Sequence, residues 1–428
     1  MPSTVTSECF VYLMLPGTGA FVTAGRFVLG ADRNGVPLGR FVYGRRYLAR
    51  EDAVPLDPTE LPLTERTYET DRLRGVFGAL RDGSPDFWGR RVIDKHARVA
   101  QLSEVDYLLH SPDDRAGALS FGLNLEPPAP LRKFNRMLDL DRLLALADRV
   151  IAEPDTAASE ANEELAGVQD LLLLRTSMGG ARPKVVVEND GALWLAKFNR
   201  ADDPWNSARV EHAMLILARE CGLSTADSRV IQAAGRDVLL VKRFDREAHA
   251  RGYYRARMLS ALTLLRTGDA HQDRDSWSYL RLAEELRRVS ARPADDAREL
   301  FGRMVFNALI TNIDDHPRNH AVIAPRLEWR LSPAYDLTPL PAVSAERRDL
   351  ALTIGDYGRY ANASNLLSQC ARFLLSRAEA ARIIDDCEAR VRERWYAVAR
   401  GTGVTEADCE KISRAFAYAG FRLSLPPL

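Results

Sequence analysis

The chemically richest part of this 428-residue chain is the segment from Thr311 to His320, which concentrates acidic, amide and imidazole side chains. Within it, Asp314 and Asn319 are separated by four residues. A carboxylate can accept the proton of an attacking hydroxyl group, and an amide oxygen can bind a magnesium ion. One short loop could therefore carry both a general base and a metal ligand.

The residues before this segment predict how it is positioned. Apolar side chains recur there at the i, i+3, i+4 spacing of an α-helix with a buried face. They are Leu300, Phe301, Met304, Val305, Ala308 and Leu309. A buried helix is therefore expected to end where the polar segment begins.

Asp336 supplies another acidic group further along the chain, after a β-like run at residues 327–331. Phosphoryl transfer depends mainly on positioning and charge neutralisation, so it requires a base, metal ligands and a phosphate clamp. We predict Asp314 as the base, and Asn319 and Asp336 as the magnesium ligands. An isolated aspartate before a proline-containing turn is, however, more often a turn former.

The phosphate clamp would come from an earlier part of the chain. Lys197 lies in a predicted strand, residues 192–198, and Glu211 lies in the predicted helix that follows, residues 207–221. In protein kinases a lysine that neutralises nucleotide phosphates is held by a helical glutamate, and the order along the chain agrees. The alternative is an edge-strand lysine and a glutamate on a solvated helix face.

A small glycine-containing loop, residues 175–184, precedes these elements. Its backbone N–H groups and its cationic side chains could cover nucleotide phosphates. The predicted contacts are Gly179, Gly180, Ala181 and Lys184. Such loops are common, so an ordinary surface loop before a hairpin is the alternative.

Two further strands are predicted at residues 228–233 and 237–241, and the second leads into Lys242-Arg243-Phe244. A strand that ends in a connecting segment is where a kinase-like hinge presents backbone groups to adenine. The order of elements therefore favours a nucleotide-binding unit.

Metal-dependent hydrolysis is the main alternative chemistry. His316 and His320 are four residues apart beside two aspartates and could bind a divalent metal, and Pro317 is tolerated in a first helical turn. A hydrolase would leave Lys197 and Asp336 without a role, whereas kinase chemistry uses both in order. We predict that His316 borders the nucleotide and braces the loop by hydrogen bonding, and that His320 is structural.

The composition sets wider limits. Lys and Arg together number 59, as do Asp and Glu, so the formal net charge of zero provides no global basic field for nucleic acid or membranes. Five cysteines without a Cys-x-x-Cys pair argue against a disulfide framework or a zinc ribbon and fit a reducing compartment. No apolar run approaches the roughly 18 residues that span a bilayer. We expect a cytoplasmic protein without a membrane partner.

The predicted fold is α+β, in three parts, because the chain is longer than one comfortable core. Residues 1–130 should form a β-rich N-terminal α/β subdomain with a hairpin turn at Asn34-Gly35. Residues 131–256 should form a β-rich ATP-binding lobe with the glycine loop and hinge, and residues 257–428 an all-α catalytic lobe. The last two parts would make a two-lobed, protein-kinase-like fold.

With these motifs in place, the chain resembles the HipA family of serine/threonine protein kinases, the toxin component of type II toxin–antitoxin modules. The motifs span about residues 175–340 and are Ser177-Met178-Gly179-Gly180-Ala181-Arg182-Pro183-Lys184, Leu195-Ala196-Lys197, Arg243-Phe244-Asp245-Arg246, Asn312-Ile313-Asp314-Asp315-His316-Pro317-Arg318-Asn319 and Tyr335-Asp336-Leu337. The β-rich N-terminal segment is also similar to the family's N-terminal subdomain. The resemblance implies an ATP- and Mg²⁺-dependent kinase with the roles above, in which Lys242 and Phe244 line the adenine site.

The resemblance also implies regulation and partners. Ser177 matches a glycine-loop serine whose autophosphorylation ejects the loop and inactivates the kinase. The family pairs with a small, separately encoded helix-turn-helix antitoxin that binds operator DNA, so DNA contact is expected only through or with that partner. Family members phosphorylate various proteins, including aminoacyl-tRNA synthetases, which makes a protein of the translation machinery one expected kind of substrate. A kinase-like scaffold that binds an antitoxin–DNA complex without turnover is the alternative.

Overall fold

The computed structural model describes most of the chain. The described residues are 7–86, 88–90, 93–94, 102–111, 113–130, 134–152, 182–200, 202–250, 252–341, 344–416 and 418–426. Ser177, Gly179, Gly180 and Ala181 of the predicted glycine loop lie outside them. What the sequence predicts for these four residues stays a prediction.

The strands and helices alternate irregularly, as in an α+β protein. The strands are β1 (Glu8–Met14), β2 (Phe21–Ala31), β3 (Pro37–Tyr43), β4 (Tyr68–Thr70), β5 (Leu119–Gly122), β6 (Asn135–Arg136), β7 (Lys184–Asn189), β8 (Ala192–Phe198), β9 (Ser228–Ala233), β10 (Arg236–Lys242), β11 (Arg246–His249), β12 (Gly252–Arg255), β13 (Arg257–Ser260), β14 (Ala321–Ala324) and β15 (Arg330–Leu331). The α-helices are α1 (Arg45–Leu48), α2 (Arg72–Gly75), α3 (Gly78–Asp82), α4 (Glu104–His110), α5 (Leu140–Ala152), α6 (Ser207–Glu220), α7 (Ala261–Leu265), α8 (Tyr279–Val289), α9 (Pro293–Leu309), α10 (Ala363–Ser368), α11 (Arg377–Gly401) and α12 (Glu406–Ile412). Short 3₁₀ helices occur at Met137–Asp139, His271–Ser276, Pro317–Asn319, Cys370–Phe373, Ser413–Ala415 and Ala419–Arg422.

The strands form two large sheets and two small ones. The N-terminal sheet is antiparallel with the order β4-β3-β2-β1-β5, and the second large sheet has the order β6-β7-β8-β10-β9. In the second sheet β6 and β7 are parallel, and the other pairs are antiparallel. β11 and β12 form a hairpin, while β13, β14 and β15 form a three-stranded antiparallel sheet.

The predicted turn at Asn34-Gly35 joins β2 to β3. Gly35 has a φ of +80°, the left-handed region that glycine adopts without steric cost. The Asp32 carboxylate accepts hydrogen bonds from the backbone N–H groups of Asn34 and Val36, each 2.8 Å long. This local chemistry closes the hairpin, as predicted.

The second large sheet is packed against helices on both faces. Because side chains alternate along a strand, Val238 of β10 packs with Leu143 of α5 on one face. Leu239 and Val241 pack with Ala208 of α6 on the other. Residues on the same sheet face as Leu239 and Val241 therefore lie next to α6.

Helix α9 is the buried helix predicted before Thr311. Pro293 opens it at a position where the missing N–H costs nothing, and Asp295 and Asp296 complement the positive end of the helix dipole. Its predicted apolar residues are all buried, and the helix ends at Leu309. The prediction of a buried helix that delivers the polar segment is confirmed.

The prediction of an all-α part from residue 257 onward is wrong in one respect, because β13, β14 and β15 lie within it. β13 pairs with β14 from Arg257↔Ala324 to Ser260↔Ala321, and this pairing satisfies backbone groups directly after the polar segment. Strands of two to four residues are too short to show a reliable period in a sequence. Among the described residues, no helix is both long enough and apolar enough to cross a membrane.

A buried ionic network connects the N-terminal part to the end of β10. The Arg243 side chain is completely buried and forms ion pairs with Asp114 and Asp245, the latter at 2.9 Å. Asp245 also accepts a 2.9 Å hydrogen bond from the backbone N–H of Gly117. Because a buried charge is tolerated only when it is fully paired, this network ties the two regions into one structure.

We predict that Arg243→Ala lowers the free energy of unfolding by about 3–5 kcal/mol, because it leaves two carboxylates buried without their main cation. Arg26→Ala is the matched control, since Arg26 pairs with Glu8 on the surface, where ion pairs contribute at most about 1 kcal/mol. Urea denaturation of both variants measures the difference. Equal losses would contradict a structural role for the buried network.

Candidate active site

A cleft of about 910 Å³, which is open to solvent, lies between the second large sheet, the polar segment and the N-terminal part. One region of its wall is apolar and contains Leu195, Val241, Phe244 and Met258. The polar part of the wall contains Lys197, His316, Asn319 and Asp336. An apolar region beside a few converging polar groups is typical of a small-molecule site.

Lys197 forms the central interaction of the cleft. On β8 it pairs directly with Leu239 of β10, so its side chain projects from the sheet face that packs on α6. Its ammonium nitrogen lies 2.7 Å from Glu211 Oε1 and 2.8 Å from Asp336 Oδ1. The fold thus brings together three residues that the sequence predicted separately.

The pKa values of Lys197, Glu211 and Asp336 depend on one another. Burial alone would lower the pKa of Lys197, but the Asp336 and Glu211 carboxylates outweigh it and the pKa is raised. Burial likewise opposes ionisation of Asp336, yet Lys197, with help from Lys184 and His316, lowers its pKa to about 2. Burial raises the pKa of Glu211, and Lys197 counteracts this. At neutral pH we therefore assign a charged lysine and a charged Asp336.

Helix α6, which carries Glu211, has a side-chain cap at its N-terminus. The Asn206 side chain caps it by accepting a 3.1 Å hydrogen bond from the backbone N–H of Arg209. Asn199, just after β8, accepts from the N–H of Ala208 and donates to Asn206, at 2.8 and 2.9 Å. Because these contacts join the end of β8 to the start of α6, they hold Lys197 and Glu211 in register.

The segment before Asp336 is tied to the loop after α6. Ala334 donates a 2.8 Å backbone hydrogen bond to Ser224 and accepts a 2.9 Å one from Ala226. Asp336 itself has a φ of +60°, in the left-handed region. Aspartate tolerates this region better than most residues, and the turn directs its carboxylate toward Lys197.

The polar segment begins with a strained residue. Thr311 has a φ of +56°, which is unusual for a β-branched side chain. Its hydroxyl donates to the carbonyl of Ala415 and accepts a 2.6 Å hydrogen bond from Arg348. These contacts hold a backbone conformation that makes the chain turn sharply after α9.

Asp314 and Asn319 are placed differently relative to the cleft. Asp314 is an exposed residue that does not line the cavity, although partial shielding from water raises the pKa of its carboxyl, with Asp336 and Asp315 adding to the rise and His316 opposing it. Asn319 is buried, lines the cleft and donates a 3.4 Å hydrogen bond to the carbonyl of Asp314. The predicted base therefore lies at the rim, and the predicted amide ligand lies inside.

The two histidines lie where they were predicted, although His316 lacks its predicted hydrogen bond among the described residues. His320 is buried, and its Nε2 lies 3.1 Å from the Asp315 carboxylate, which confirms a structural position. The side chain of His316 lines the cleft, but its buried Nδ1 has no hydrogen-bond partner in the described part of the chain, so the bracing hydrogen bond predicted for it is not formed there. The two rings do not converge on one site, which removes the basis for a shared metal.

Of the other residues predicted to contact the nucleotide, some line the cleft and some do not. Lys242 and Phe244 line it, and the Phe244 ring packs on Tyr335 with centroids 5.6 Å apart. Glu211 lies behind Lys197 and is not part of the cavity wall. Lys184 is 2% exposed, does not line the cleft and pairs with Asp86 at 3.0 Å, so the structure does not present its ammonium group to the cavity.

The N-terminal part supplies two wall residues that the sequence did not reveal, Asp82 and Ala116. Asp82 accepts hydrogen bonds from the N–H and hydroxyl of Ser260 and from the hydroxyl of Thr263, at 2.6 to 2.8 Å. Nothing near Asp82 in the sequence distinguishes it from a surface aspartate. The contact arises from tertiary packing of α3 on β13 and α7.

The cleft offers oxygen atoms suited to a hard divalent cation. Asp336 uses Oδ1 to bind Lys197, and Asn319 uses Nδ2 to bind the Asp314 carbonyl. In the described regions, no group donates a hydrogen bond to Asp336 Oδ2 or Asn319 Oδ1. Amide and carboxylate oxygens are ligands of Mg²⁺, so these two residues fit that metal. Among the residues described, no three His, Cys, Asp or Glu side chains form a metal-binding group.

We predict that the stability lost in Lys197→Met depends on pH. The pKa of Asp336 is lowered in the folded protein, so its pairing with Lys197 stabilises the fold fully above its usual pKa of about 4 and loses this effect as the pH falls toward 2. The difference in unfolding free energy between wild type and variant should therefore be largest near neutral pH and shrink from about pH 5 to pH 3. Denaturant titrations across this range measure it. A constant difference would show that the ion pair does not control the pKa of Asp336.

Comparisons with known proteins point to one family. The family model described as HipA-like C-terminal domain matches residues 176–395, and the model described as HipA N-terminal domain matches residues 24–122. A Sinorhizobium fredii protein named "Putative kinase Y4mE" is 27% identical over 342 residues, which are 76% of this chain and 77% of that protein. A Haemophilus influenzae protein named "Putative kinase" is 24% identical over 178 residues, or 36% of this chain and 52% of that protein.

A solved structure shares the fold. It is a chain of the toxin–antitoxin system HipA, HipB and operator DNA complex from Shewanella oneidensis, with a TM-score of 0.66 and 16% sequence identity. The match covers 95% of this chain and 94% of that chain. The first family model alone covers more than half of the sequence, including the elements that carry Lys197, Asn319 and Asp336. The chain belongs to the HipA family.

Proposed function

We propose that this protein is an ATP- and Mg²⁺-dependent serine/threonine protein kinase. The observation that carries the proposal is the position of Lys197, which contacts a helical glutamate and Asp336 in a cleft that also contains Asn319. Phosphoryl transfer needs a cation for the phosphates, oxygen ligands for magnesium and a base near the acceptor hydroxyl. The family membership and the names of the two relatives support the same chemistry.

Each wall of the cleft has a proposed task. The apolar wall of Leu195, Val241, Phe244 and Met258 receives the adenine ring, next to the backbone of residues 242–244. Lys197 neutralises phosphate oxygens, and Glu211 keeps its ammonium group in place. The separation of an apolar region from a charged one matches the two halves of a nucleotide.

Asn319 and Asp336 would hold magnesium, which supplies charge neutralisation at the phosphates when bound. Asp314 at the rim accepts the proton of a serine or threonine hydroxyl that enters from outside. Its raised pKa makes the carboxylate a stronger proton acceptor, and its exposure leaves room for a protein substrate. Positioning of the hydroxyl and of the phosphate would provide most of the rate enhancement.

We extend the proposal to the organisation of the chain. The second large sheet with α6 is the smaller lobe of a kinase-like pair, and the helices after residue 257 are the larger lobe. The N-terminal part, residues 1–130, closes the nucleotide end of the cleft through Asp82 and Ala116. Arg243 and its buried partners hold that part against the adenine wall.

We also propose the partners that the family suggests. The complex that shares this fold contains HipB and operator DNA. A separately encoded helix-turn-helix antitoxin is therefore the proposed partner, with DNA contacted through or with it. Autophosphorylation of Ser177 in the glycine loop is the proposed means of inactivation.

The proposal is tested by incubating purified protein with ATP and magnesium and measuring phosphate on Ser177 and on proteins of a cell extract by mass spectrometry. We expect phosphate on Ser177 in wild type. Asp314→Asn, which keeps the size of the side chain but removes the base, should reduce the rate by at least about 100-fold. Omission of magnesium should abolish transfer.

Three outcomes distinguish the alternatives. Absence of phosphate on Ser177 and on every extract protein would refute the kinase proposal. ATP binding without transfer would favour a scaffold that binds an antitoxin–DNA complex. Metal-dependent hydrolysis of an unrelated substrate, unaffected by Lys197→Met, would favour a hydrolase.

A further inference from the structure

Two adjacent aspartates of the polar segment have opposite environments. Asp314 is exposed at the rim of the cleft, whereas Asp315 is 1% exposed and lies in the core. The Asp315 carboxylate accepts a hydrogen bond from the Tyr279 hydroxyl, and His320 Nε2 lies 3.1 Å from the same carboxylate. Because a carboxylate only accepts, we assign the proton of this contact to Nε2. Asp315 therefore has two donors and no exposure to water.

The contacts of Asp315 continue into two helices. Tyr279 is the first residue of α8, and its hydroxyl accepts a 3.0 Å hydrogen bond from Asn307 Nδ2 on α9. Asn307 Oδ1 in turn accepts a 3.1 Å hydrogen bond from Asn312 Nδ2, and its carbonyl accepts a 2.9 Å one from the backbone N–H of Asn312. The chain of contacts starts at Asn312, passes through both helices and returns to the segment at Asp315.

These contacts hold the polar segment at three points. Asn312 lies at its start, Asp315 in its middle and His320 at its end. Asp314 and Asn319 each directly precede one of the held residues. A displacement of about 1 Å at a reacting group can cost about 100-fold in rate, so the accuracy of these anchors matters for chemistry.

We propose that Asp315 is a positioning residue, which together with Tyr279 and His320 sets the spacing between the base Asp314 and the ligand Asn319. The inference rests on the proposed kinase function. Burial of a carboxylate is unfavourable unless its hydrogen bonds are complete, so an apolar side chain would serve packing alone better. The Tyr279 ring also packs edge-on against His320, with centroids 5.2 Å apart, which orients the imidazole toward Asp315. Burial and the nearby Asp315 raise the pKa of Tyr279 well above its usual value, so its hydroxyl remains a donor at all relevant pH values.

The test compares two tyrosine variants that each lose one buried hydroxyl group. Tyr279→Phe removes a donor to Asp315, while Tyr47→Phe removes a 2.6 Å hydrogen bond to the Val54 carbonyl in the N-terminal part. We expect Tyr279→Phe to lower kcat by about 10- to 100-fold while the Kd for an ATP analogue changes less than about twofold. The Mg²⁺ concentration for half-maximal rate should rise, because Asn319 is displaced. Tyr47→Phe should have wild-type kcat even if both variants lose similar thermal stability.

A second measurement does not depend on activity. Hydrogen exchange of the backbone amides in residues 312–320 should accelerate at least about tenfold in Tyr279→Phe and in Asp315→Asn but not in Tyr47→Phe. An unchanged kcat in Tyr279→Phe, or an equal loss in Tyr47→Phe, would overturn the positioning role. A wild-type protein that transfers no phosphate would instead refute the proposed function, and unchanged exchange in the segment would then reject the anchoring as well.

Discussion

The cleft depends on one cation, Lys197, which is largely enclosed and lies between two carboxylates. Lys197 reaches Glu211 on one side and Asp336 on the other, at 2.7 and 2.8 Å. Removal of these groups from water is unfavourable, and only their mutual attraction and hydrogen bonds offset it. Such an arrangement is a poor source of stability, but in the proposed function it holds a positive charge that the phosphates of a polyanionic ligand can contact. A third of the Asp336 side chain remains exposed, which leaves the charged site open to that ligand.

The rest of the fold brings these three charges together from distant parts of the chain. β8 presents Lys197 on the face that α6 covers, and Asn199 with Asn206 joins the strand to the helix. The backbone bonds between Ala334 and the loop after α6 bring Asp336 to the same place. Asp336 is therefore tied to the loop that follows the helix carrying Glu211, and a shift of α6 would move both carboxylates relative to the lysine.

The parts of this arrangement that local patterns control were predictable from the sequence. The buried face of α9, the strands around Lys197 and the turn at Gly35 follow from short-range periodicity and backbone preference. The pairing of Asp82 with Ser260 and Thr263 was not, because it joins residues more than 170 positions apart through packing alone. The ion pair of Lys184 was not predictable for a related reason: its neighbours in sequence suggest a phosphate contact, whereas its partner Asp86 comes from another region.

Asp315 shows why residue types alone could not assign a role to each aspartate of the polar segment. Asp314 and Asp315 are identical in chemistry and adjacent in sequence, and any metal or kinase interpretation could have used either. The distinction comes from Tyr279, Asn307 and His320, whose contacts hold one carboxylate in the core. Adjacent side chains in this turn point in different directions. Because the contacts of Asp315 hold its side chain in the core, Asp314 is left at the rim. In the kinase mechanism proposed above, the base faces the acceptor hydroxyl because the residue that follows it is anchored in the protein.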